Sequence, residues 1–221
     1  MTNFRITVTS DVACPWCYVG RRQLQQAQQL WFQKHPDSGD TFSVTYAPYQ
    51  LNPGWPRGPG SSIEKQQFYD EKFGPGRIDM IHESLSKVGH QLGINFKYGG
   101  RTGNTRDSHR LIHLAKQYGP EVELKTIDGL FAAYFEHERD ITTHETLQDI
   151  ATQASIPVQD FKAAIVESDQ GGAQVDKAVA QARSDGVSGV PDFQMQDRYR
   201  LSGANDPATF VRVFEKIKAL G

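Results

Sequence analysis

Cys14 and Cys17, separated by two residues, lie between a strand-like segment and a helix-like segment, and this placement constrains the fold more than any other feature. Apolar and polar residues alternate over residues 4–9, which predicts a half-buried strand. Apolar residues then recur at helical spacing over 18–33, and alternation returns over 42–46. A strand, a helix and a strand at this spacing form a βαβ unit, which favours parallel strands in an α/β fold.

The middle of the chain has a different pattern. Residues 48–60 are rich in Pro and Gly, which predicts a loop that leaves the sheet. From there to about residue 186 the apolar spacing is typical of helices. Thr142 and Glu145 form a candidate capping box for one of these helices.

The strand pattern returns near the C-terminal end of the chain. Residues 193–201 alternate around a candidate turn at 196–198, which predicts an antiparallel hairpin. Asn205 or Asp206 is the expected N-cap of a last helix that begins with proline. The predicted domains are therefore a discontinuous α/β domain of residues 1–60 and 187–221, and a helical insertion of residues 61–186.

Composition excludes several classes of protein. With 24 basic and 26 acidic residues, the net charge is −2, which is not the charge of a general nucleic-acid binder. No apolar run approaches the roughly 18 residues of a membrane span. Residues 1–13 contain no long apolar stretch of a secretory signal, so we expect a cytoplasmic protein. Two cysteines alone cannot make a disulfide-stapled scaffold.

A cysteine at the start of a helix is well placed for thiol chemistry. The unpaired N–H groups and the dipole of a helix N-terminus favour negative charge, so they favour the thiolate form of Cys14. Pro15 fits the first helical turn, which needs no N–H donor at that position. Cys17, one turn later, can release a mixed disulfide formed on Cys14. We therefore predict an exposed nucleophile at Cys14 and a more buried resolving thiol at Cys17.

Two other interpretations of the pair stay open at this point. The cysteines could be inert core residues, or they could form half of a zinc site. The sequence has no second CxxC, and its seven histidines show no tight pairing. His109 and His113 are four residues apart, which fits one face of an ordinary helix. The context of strand, CxxC and helix favours redox chemistry without a metal.

Charged residues near the pair have two interpretations each. Arg21 and Arg22 could stabilise the thiolate or guide an anionic substrate, although such residues are more often a solvated helix face. Asp11 could accept a proton from Cys17 if it is buried, or it could cap a turn. Pro191, taken by itself, predicts only the start of a strand.

Four segments in order resemble FrnE-like members of the DsbA family, in the thioredoxin superfamily. The first is SDVACPWCYVG at residues 10–20, which is similar to the active-site signature. The others are Asn104-Thr105 with Ser108–Leu111, Leu130–Phe135, and Gly189–Pro191 with Ser202–Ala204. They resemble the family's NT…AHR segment, with serine replacing the usual alanine, its LFxAYF helix and its GVPxF…SGAQ ending. Together they span nearly the whole chain.

The resemblance implies a thioredoxin fold with a large all-helical insertion, as in DsbA, and the activity of a thiol–disulfide oxidoreductase. It also implies a cis peptide bond between Val190 and Pro191, which leaves the Val190 backbone free to pair with an extended substrate. The implied catalytic residues are Cys14, Cys17 and Pro191. The implied substrate contacts are Pro15, Trp16 and Val190. Asp192 departs from the family pattern, in which an apolar or hydroxyl residue is usual.

A second candidate function is a glutathione-dependent transferase or isomerase acting on small aromatic compounds. Kappa-class glutathione transferases and 2-hydroxychromene-2-carboxylate isomerase resemble the chain in fold and in the Asp-Val-x-[Ser/Cys]-Pro opening. In them a serine replaces Cys14 and holds the thiolate of glutathione. The residues that would contact glutathione or line the pocket are Val190, Ala204, Asn205, Asp206, Asn52 and Asn104. Asn52 and Asn104, taken singly, are explained better by turn and cap chemistry.

The expected partners follow from these two functions. They are protein or small-molecule thiols and disulfides, with glutathione as a candidate ligand. We expect no obligatory cofactor beyond the redox-active disulfide formed by the protein's own cysteines. A third, weaker interpretation is a binding module with incidental thiols and a groove at Trp55, Phe68 and Tyr69. The sequence fits a monomer or a homodimer, and the direction of the redox reaction stays open.

Overall fold

Alternating apolar residues at the start of the chain form the central strand of the main sheet. The structure is a computed structural model that describes residues 1–220, the side chain of Pro75 excepted. Its first elements are strand β1 (Asn3–Ser10), helix α1 (Pro15–Lys34) and strand β2 (Thr41–Pro48). The strands β1 and β2 are parallel, with Phe4 opposite Phe42 and Val8 opposite Tyr46, which confirms the predicted βαβ unit.

The insertion follows the loop after β2 and is mostly helical. Its elements are β3 (Ile63–Glu64), α2 (Lys65–Phe73), α3 (Pro75–Gln91), β4 (Arg101–Thr102), α4 (Arg106–Ala115), α5 (Pro120–Phe135), α6 (His144–Gln153), α7 (Val158–Phe161) and α8 (Gly172–Ser184). A 3₁₀ turn at Lys116–Tyr118 and a π-helical segment at Lys162–Val166 connect some of them. The insertion is not purely helical, because β3 and β4 form a short antiparallel pair.

The chain then returns to the main sheet. Strands β5 (Asp192–Met195) and β6 (Tyr199–Ser202) form the predicted hairpin, and helix α9 (Pro207–Leu220) follows. The sheet order is β2-β1-β5-β6, with β5 antiparallel to β1. This order, with α1 after β1 and α9 after the hairpin, is the predicted thioredoxin fold.

An aromatic cluster joins α1 and α9 to one face of the sheet. The Phe4 ring of β1 lies 5.0 Å from Trp31 of α1 and 5.2 Å from Phe214 of α9, measured between ring centroids. All three side chains are buried. Burial of large aromatic side chains contributes strongly to such a core, and this cluster holds the end of α1, the start of β1 and helix α9 together.

The insertion also covers the open edge of the sheet. Strand β2 has no neighbouring strand on its outer side, so its backbone groups there need other partners. The Tyr46 N–H donates to Glu123 of α5 at 2.9 Å, and Lys116 donates to the Tyr46 carbonyl at 2.6 Å. The insertion therefore packs against the α/β domain through hydrogen bonds to a sheet edge.

Helix α1 begins at Pro15, so the CxxC segment opens the helix as predicted. One local prediction is corrected by the structure. The N-cap of α6 is Thr143, whose hydroxyl accepts from the Thr146 N–H at 3.3 Å, and not Thr142 with Glu145. Thr142 instead hydrogen-bonds to Asp140, which leaves the capping position to its neighbour. Within residues 1–220 no helix has the length and apolar character needed to cross a membrane.

Candidate active site

Cys14 is positioned by the abrupt change from strand β1 to helix α1. Cys14 is the N-cap residue of α1, and its N–H donates to the Asp11 carbonyl at 3.0 Å. Its own carbonyl accepts from the Cys17 N–H at 3.0 Å, which starts the helix. Pro15 occupies the first helical position without a missing hydrogen bond, as predicted. The positive end of the α1 dipole therefore lies at the Cys14 side chain.

Asp11 anchors the loop before the helix. It is buried, and its carboxylate accepts from the Leu51 N–H at 2.7 Å and from the Ala13 N–H at 3.4 Å. The Nε2 atom of buried His109 lies 3.4 Å from the same carboxylate. Asp11 therefore joins the active-site loop to the loop after β2 and to α4. The sequence placed His109 on an ordinary helix face and gave no sign of this contact.

The two thiols have different environments. Both cysteines are free and buried, Cys14 at 6% and Cys17 at 2% exposure, so Cys14 is less exposed than the sequence predicts. Burial raises the pKa of the Cys17 thiol well above its ordinary value, and hydrogen bonding to Cys14 adds to this effect. Cys17 is therefore a protonated, sequestered thiol, whereas Cys14 lines a cavity.

Val190 and Pro191 lie next to Cys14, and the peptide bond between them is cis. The Cys14 thiol donates to the Val190 carbonyl at 3.5 Å. Pro191 and Phe193 also pack closely against α1 at Gly20, where an added methyl group would lie 3.0 Å from each of their rings. The start of α1 and the start of β5 are thus held together across the site.

A cavity of about 520 Å³ opens beside Cys14. Most of its lining residues come from α2, α3 and the end of α5, and most of these are apolar or aromatic. Of the predicted site residues, those that line it are Cys14, Pro15, Trp16 and Asn52. Phe68 and Tyr69 also line it, while Trp55 packs edge-on against Phe68 with ring centroids 4.7 Å apart. The three aromatic residues of the third interpretation therefore contribute to this cavity.

Asn104 does not line the cavity, which corrects its predicted pocket role. Its side-chain oxygen accepts from Gln50 and from the Arg106 N–H, both at 3.0 Å. Its side-chain amide donates to the Trp55 carbonyl at 2.7 Å. Asn104 therefore holds the loop after β2 against the start of α4, which is the turn and cap chemistry that the sequence also allowed.

The other predicted contacts for glutathione, Ala204, Asn205 and Asp206, follow β6 in the chain and do not line the cavity. Asp206 caps α9 by accepting from the Thr209 N–H at 2.9 Å, as one of the two predicted N-caps. Asn205 donates to the Gly203 carbonyl at 2.8 Å, and Ala204 packs partly buried against the core. The side chains of Asn205 and Asp206 thus stabilise the turn into α9.

The two arginines after Cys17 do not line the cavity either. Arg21 is buried and forms two hydrogen bonds with Asp128 of α5, at 2.9 and 3.0 Å. Arg22 donates to the Tyr18 hydroxyl at 3.2 Å. Both side chains therefore support the packing of α1 rather than contact Cys14.

The cavity is lined instead by cationic residues that the sequence pattern did not predict. Lys65, Lys72, Arg77 and Lys97 line it, and no Asp or Glu is among its lining residues. They come from α2, α3 and the segment before β4, so no local pattern in the sequence could have grouped them. Burial lowers the pKa of Lys65 to about 8.

The sheet order, the two cysteines at the start of α1 and the adjacent Val190–Pro191 bond define a thioredoxin-fold protein with a dithiol site. The family model of the DsbA-like thioredoxin domain matches residues 5–215. The chain therefore belongs to the DsbA-like thioredoxin domain family.

Solved structures agree with this assignment. A probable DsbA oxidoreductase from Streptomyces coelicolor is 25% identical, with a TM-score of 0.84 over 96% of this chain and 89% of that chain. A 2-hydroxychromene-2-carboxylate isomerase is 14% identical, with a TM-score of 0.65 over 98% and 95% of the two chains. The cytosolic disulfide reductase DsbM from Pseudomonas aeruginosa, solved with glutathione, is also 14% identical, with a TM-score of 0.62 over 98% and 100%. At 14% identity, the isomerase and DsbM structures show only that the fold is shared.

Proposed function

We propose that this protein catalyses thiol–disulfide exchange, with Cys14 as the attacking thiol and Cys17 as the resolving thiol. The observation that carries the proposal is the asymmetry of the pair. Cys14 lies at a helix N-terminus and lines an open cavity, whereas Cys17 is buried and its pKa is raised. A thiolate is the reactive form, so the first attack belongs to Cys14.

The exchange needs no external cofactor. The Cys14 thiolate attacks one sulfur of a substrate disulfide, and the other substrate sulfur leaves as a thiolate. Cys17 then loses its proton and attacks the Cys14 sulfur, which releases the second substrate thiol. The protein ends with a Cys14–Cys17 disulfide, having given two electrons to the substrate. The same steps in reverse oxidise a dithiol.

Val190 and Pro191 are the proposed contacts for an extended substrate. The Cys14 thiol donates to the Val190 carbonyl at 3.5 Å, so a chain paired at Val190 would present its disulfide to Cys14. Pro15 and Trp16 are the proposed contacts on the other side, and Trp16 is 39% exposed. We place the reaction in the cytoplasm, where a lone dithiol of this kind is catalytic rather than structural.

Reduction of insulin by a dithiol reductant tests this proposal. Wild-type protein should accelerate the precipitation of the insulin B chain, and Cys14→Ser should abolish the acceleration. Cys17→Ser should also prevent sustained turnover, because the mixed disulfide on Cys14 would not be released. Ser168→Ala, a change far along the chain from the CxxC segment, is the control. Equal activity of wild type and Cys14→Ser would overturn the proposal.

A second candidate is glutathione-dependent chemistry on a small aromatic compound. A largely apolar cavity at Cys14 favours it, because 520 Å³ is within the usual size of small-molecule sites. The fold neighbours that bind glutathione or isomerise an aromatic carboxylate support the same idea. The proposed glutathione contacts are Val190, Ala204, Asn205 and Asp206. Full turnover of Cys17→Ser with glutathione and an aromatic substrate would favour this candidate, since only redox exchange needs a resolving thiol.

A further inference from the structure

The cavity beside Cys14 combines apolar walls with an excess of positive charge. Lys72, Arg77 and Lys97 are exposed side chains that line it, and none of them forms an ion pair with a carboxylate of residues 1–220. Lys72 instead lies 5.2 Å from the centre of the Phe68 ring. In a chain of net charge −2, three cations without an ion-pair partner among the described residues thus line one largely apolar cavity.

Lys65 adds a buried cation to the same wall. Its ammonium donates to the Tyr134 carbonyl at 2.8 Å and lies 3.7 Å from the centre of the Tyr134 ring. The side chain is 1% exposed, and no described carboxylate lies within ion-pair distance of it, although Glu138 and Asp140 attract it from farther away. A buried charge without a direct counter-ion is costly, so an anion bound beside Lys65 would stabilise it further.

The other titratable groups of the wall contribute no negative charge near neutral pH. Burial raises the pKa of Tyr69 to about 12 and raises the pKa of Tyr98, so both phenols stay neutral. His82 stacks on Tyr98 with ring centroids 3.6 Å apart, and burial lowers the pKa of its imidazole. The Nε2 atom of His82 is buried and has no hydrogen-bond partner among the described residues. The wall thus offers cations, aromatic faces and one unused polar atom.

We propose that this cavity binds a small, apolar organic anion that carries a disulfide or thiol, and that Cys14 exchanges with the sulfur of this compound. This inference rests on the proposed function and names its substrate class. Aromatic walls fit an apolar or aromatic body, and the cations of α2, α3 and the segment before β4 fit a carboxylate. Val190, whose carbonyl accepts from the Cys14 thiol, is not among the lining residues of the cavity.

The chemistry is an ordinary disulfide exchange with the electrons supplied by the dithiol. For an aromatic disulfide, Cys14 forms a mixed disulfide and one aromatic thiolate leaves. Cys17 loses its proton to solvent, attacks Cys14 and releases the second aromatic thiolate. Each reduced protein therefore gives two aromatic thiols and one Cys14–Cys17 disulfide.

Two chromogenic disulfides of similar shape test the role of charge. Dithiobis-nitrobenzoate carries a carboxylate on each ring, whereas dithiodipyridine is neutral. The measured quantity is the second-order rate constant for dithiobis-nitrobenzoate divided by that for dithiodipyridine. Both rate constants are determined with reduced full-length protein by stopped-flow absorbance. The ratio removes any change in the reactivity of Cys14 itself, because both probes react with the same thiol.

Lys72→Gln combined with Lys97→Gln should lower this ratio about fivefold, the size expected when two exposed charge interactions are removed. The matched control is Lys177→Gln combined with Lys216→Gln, two exposed lysines of α8 and α9 outside the cavity lining, which should leave the ratio unchanged. Lys65→Met should lower the ratio as well. If Lys65→Met does not fold, the double variant decides alone. Added salt should lower the wild-type ratio toward that of the double variant.

The results separate the two proposals. If the ratio is the same in wild type and in the Lys72, Lys97 double variant, the substrate class is overturned. If wild-type protein still releases two thiols per molecule in that case, the proposed function stands. Equal rates for wild type and Cys14→Ser with both probes overturn the proposed function itself. A fall of the ratio in the surface control equal to that in the cavity variant would also overturn the substrate class, since general attraction would explain it.

Discussion

Gly20→Ala should destabilise the protein, although glycine-to-alanine changes within helices usually stabilise. Gly20 lies inside α1, where alanine would gain about 0.5–1 kcal/mol from helix propensity. Its added methyl group would lie 3.0 Å from both the Pro191 ring and the buried Phe193 ring. Overpacking of a well-packed core costs about 1–3 kcal/mol. The net loss should be about 1 kcal/mol, which lowers the melting temperature by about 2–4 °C for a chain of this size.

Urea unfolding of the reduced protein, followed by far-ultraviolet circular dichroism, measures this change. Gly76→Ala in α3 is the matched control, because its added methyl group meets no heavy atom within 4 Å. The control should be neutral or slightly stabilising. If Gly20→Ala were as stable as wild type, or more stable, the close packing of α1 on the start of β5 would be refuted.

Three further predictions concern packing, capping and charge. Arg106→Met should lower stability by about 1–3 kcal/mol, because Arg106 donates two hydrogen bonds to each of Asp169 and Asp176. The Arg106 guanidinium lowers the pKa of Asp169 to about 2. The stability of wild type should therefore fall as the pH drops from the ordinary aspartate range through about 2. Acid unfolding of Arg106→Met should lack this step. Thr143→Ala should cost about 1 kcal/mol as the loss of the α6 N-cap, measured by thermal unfolding. The rate ratio of wild type, which measures its preference for the carboxylated disulfide, should decline as the pH rises through about 8, where Lys65 loses its proton. The rate ratio of Lys65→Met should not show this decline.

Elements defined by short-range pattern could be predicted from the sequence. The alternation in β1 and β2 and the turn before β6 depend on residues close together in the chain. The turn at Gln196 and Asp197 has positive φ at both residues, a conformation that aspartate tolerates and that glutamine adopts less readily. The start of α1 was also predictable, because a proline after a strand and before an apolar helical pattern fits the first helical position.

The cavity could not be predicted in the same way. Its cations lie on separate elements, with Lys65 and Lys97 on opposite sides of α3 in the chain, and only tertiary packing brings them together. The role of Asn104 depends on Gln50 and Trp55, each about 50 residues away, so the local sequence favoured turn and cap chemistry without identifying these partners. His109 was missed for the same reason, since its partner Asp11 is 98 residues away.

The order of attack by the two thiols is the central claim, and trapping of a mixed disulfide tests it most directly. Reduced wild type, Cys17→Ser and Cys14→Ser would each be mixed with glutathione disulfide and followed by mass spectrometry of the intact protein. Cys17→Ser should keep one glutathione on Cys14, and wild type should pass to the internal disulfide without a lasting adduct. Cys14→Ser should react at least about tenfold more slowly, because Cys17 is 2% exposed and stays protonated. Equal rates of adduct formation in the two variants would contradict the assignment of Cys14 as the nucleophile.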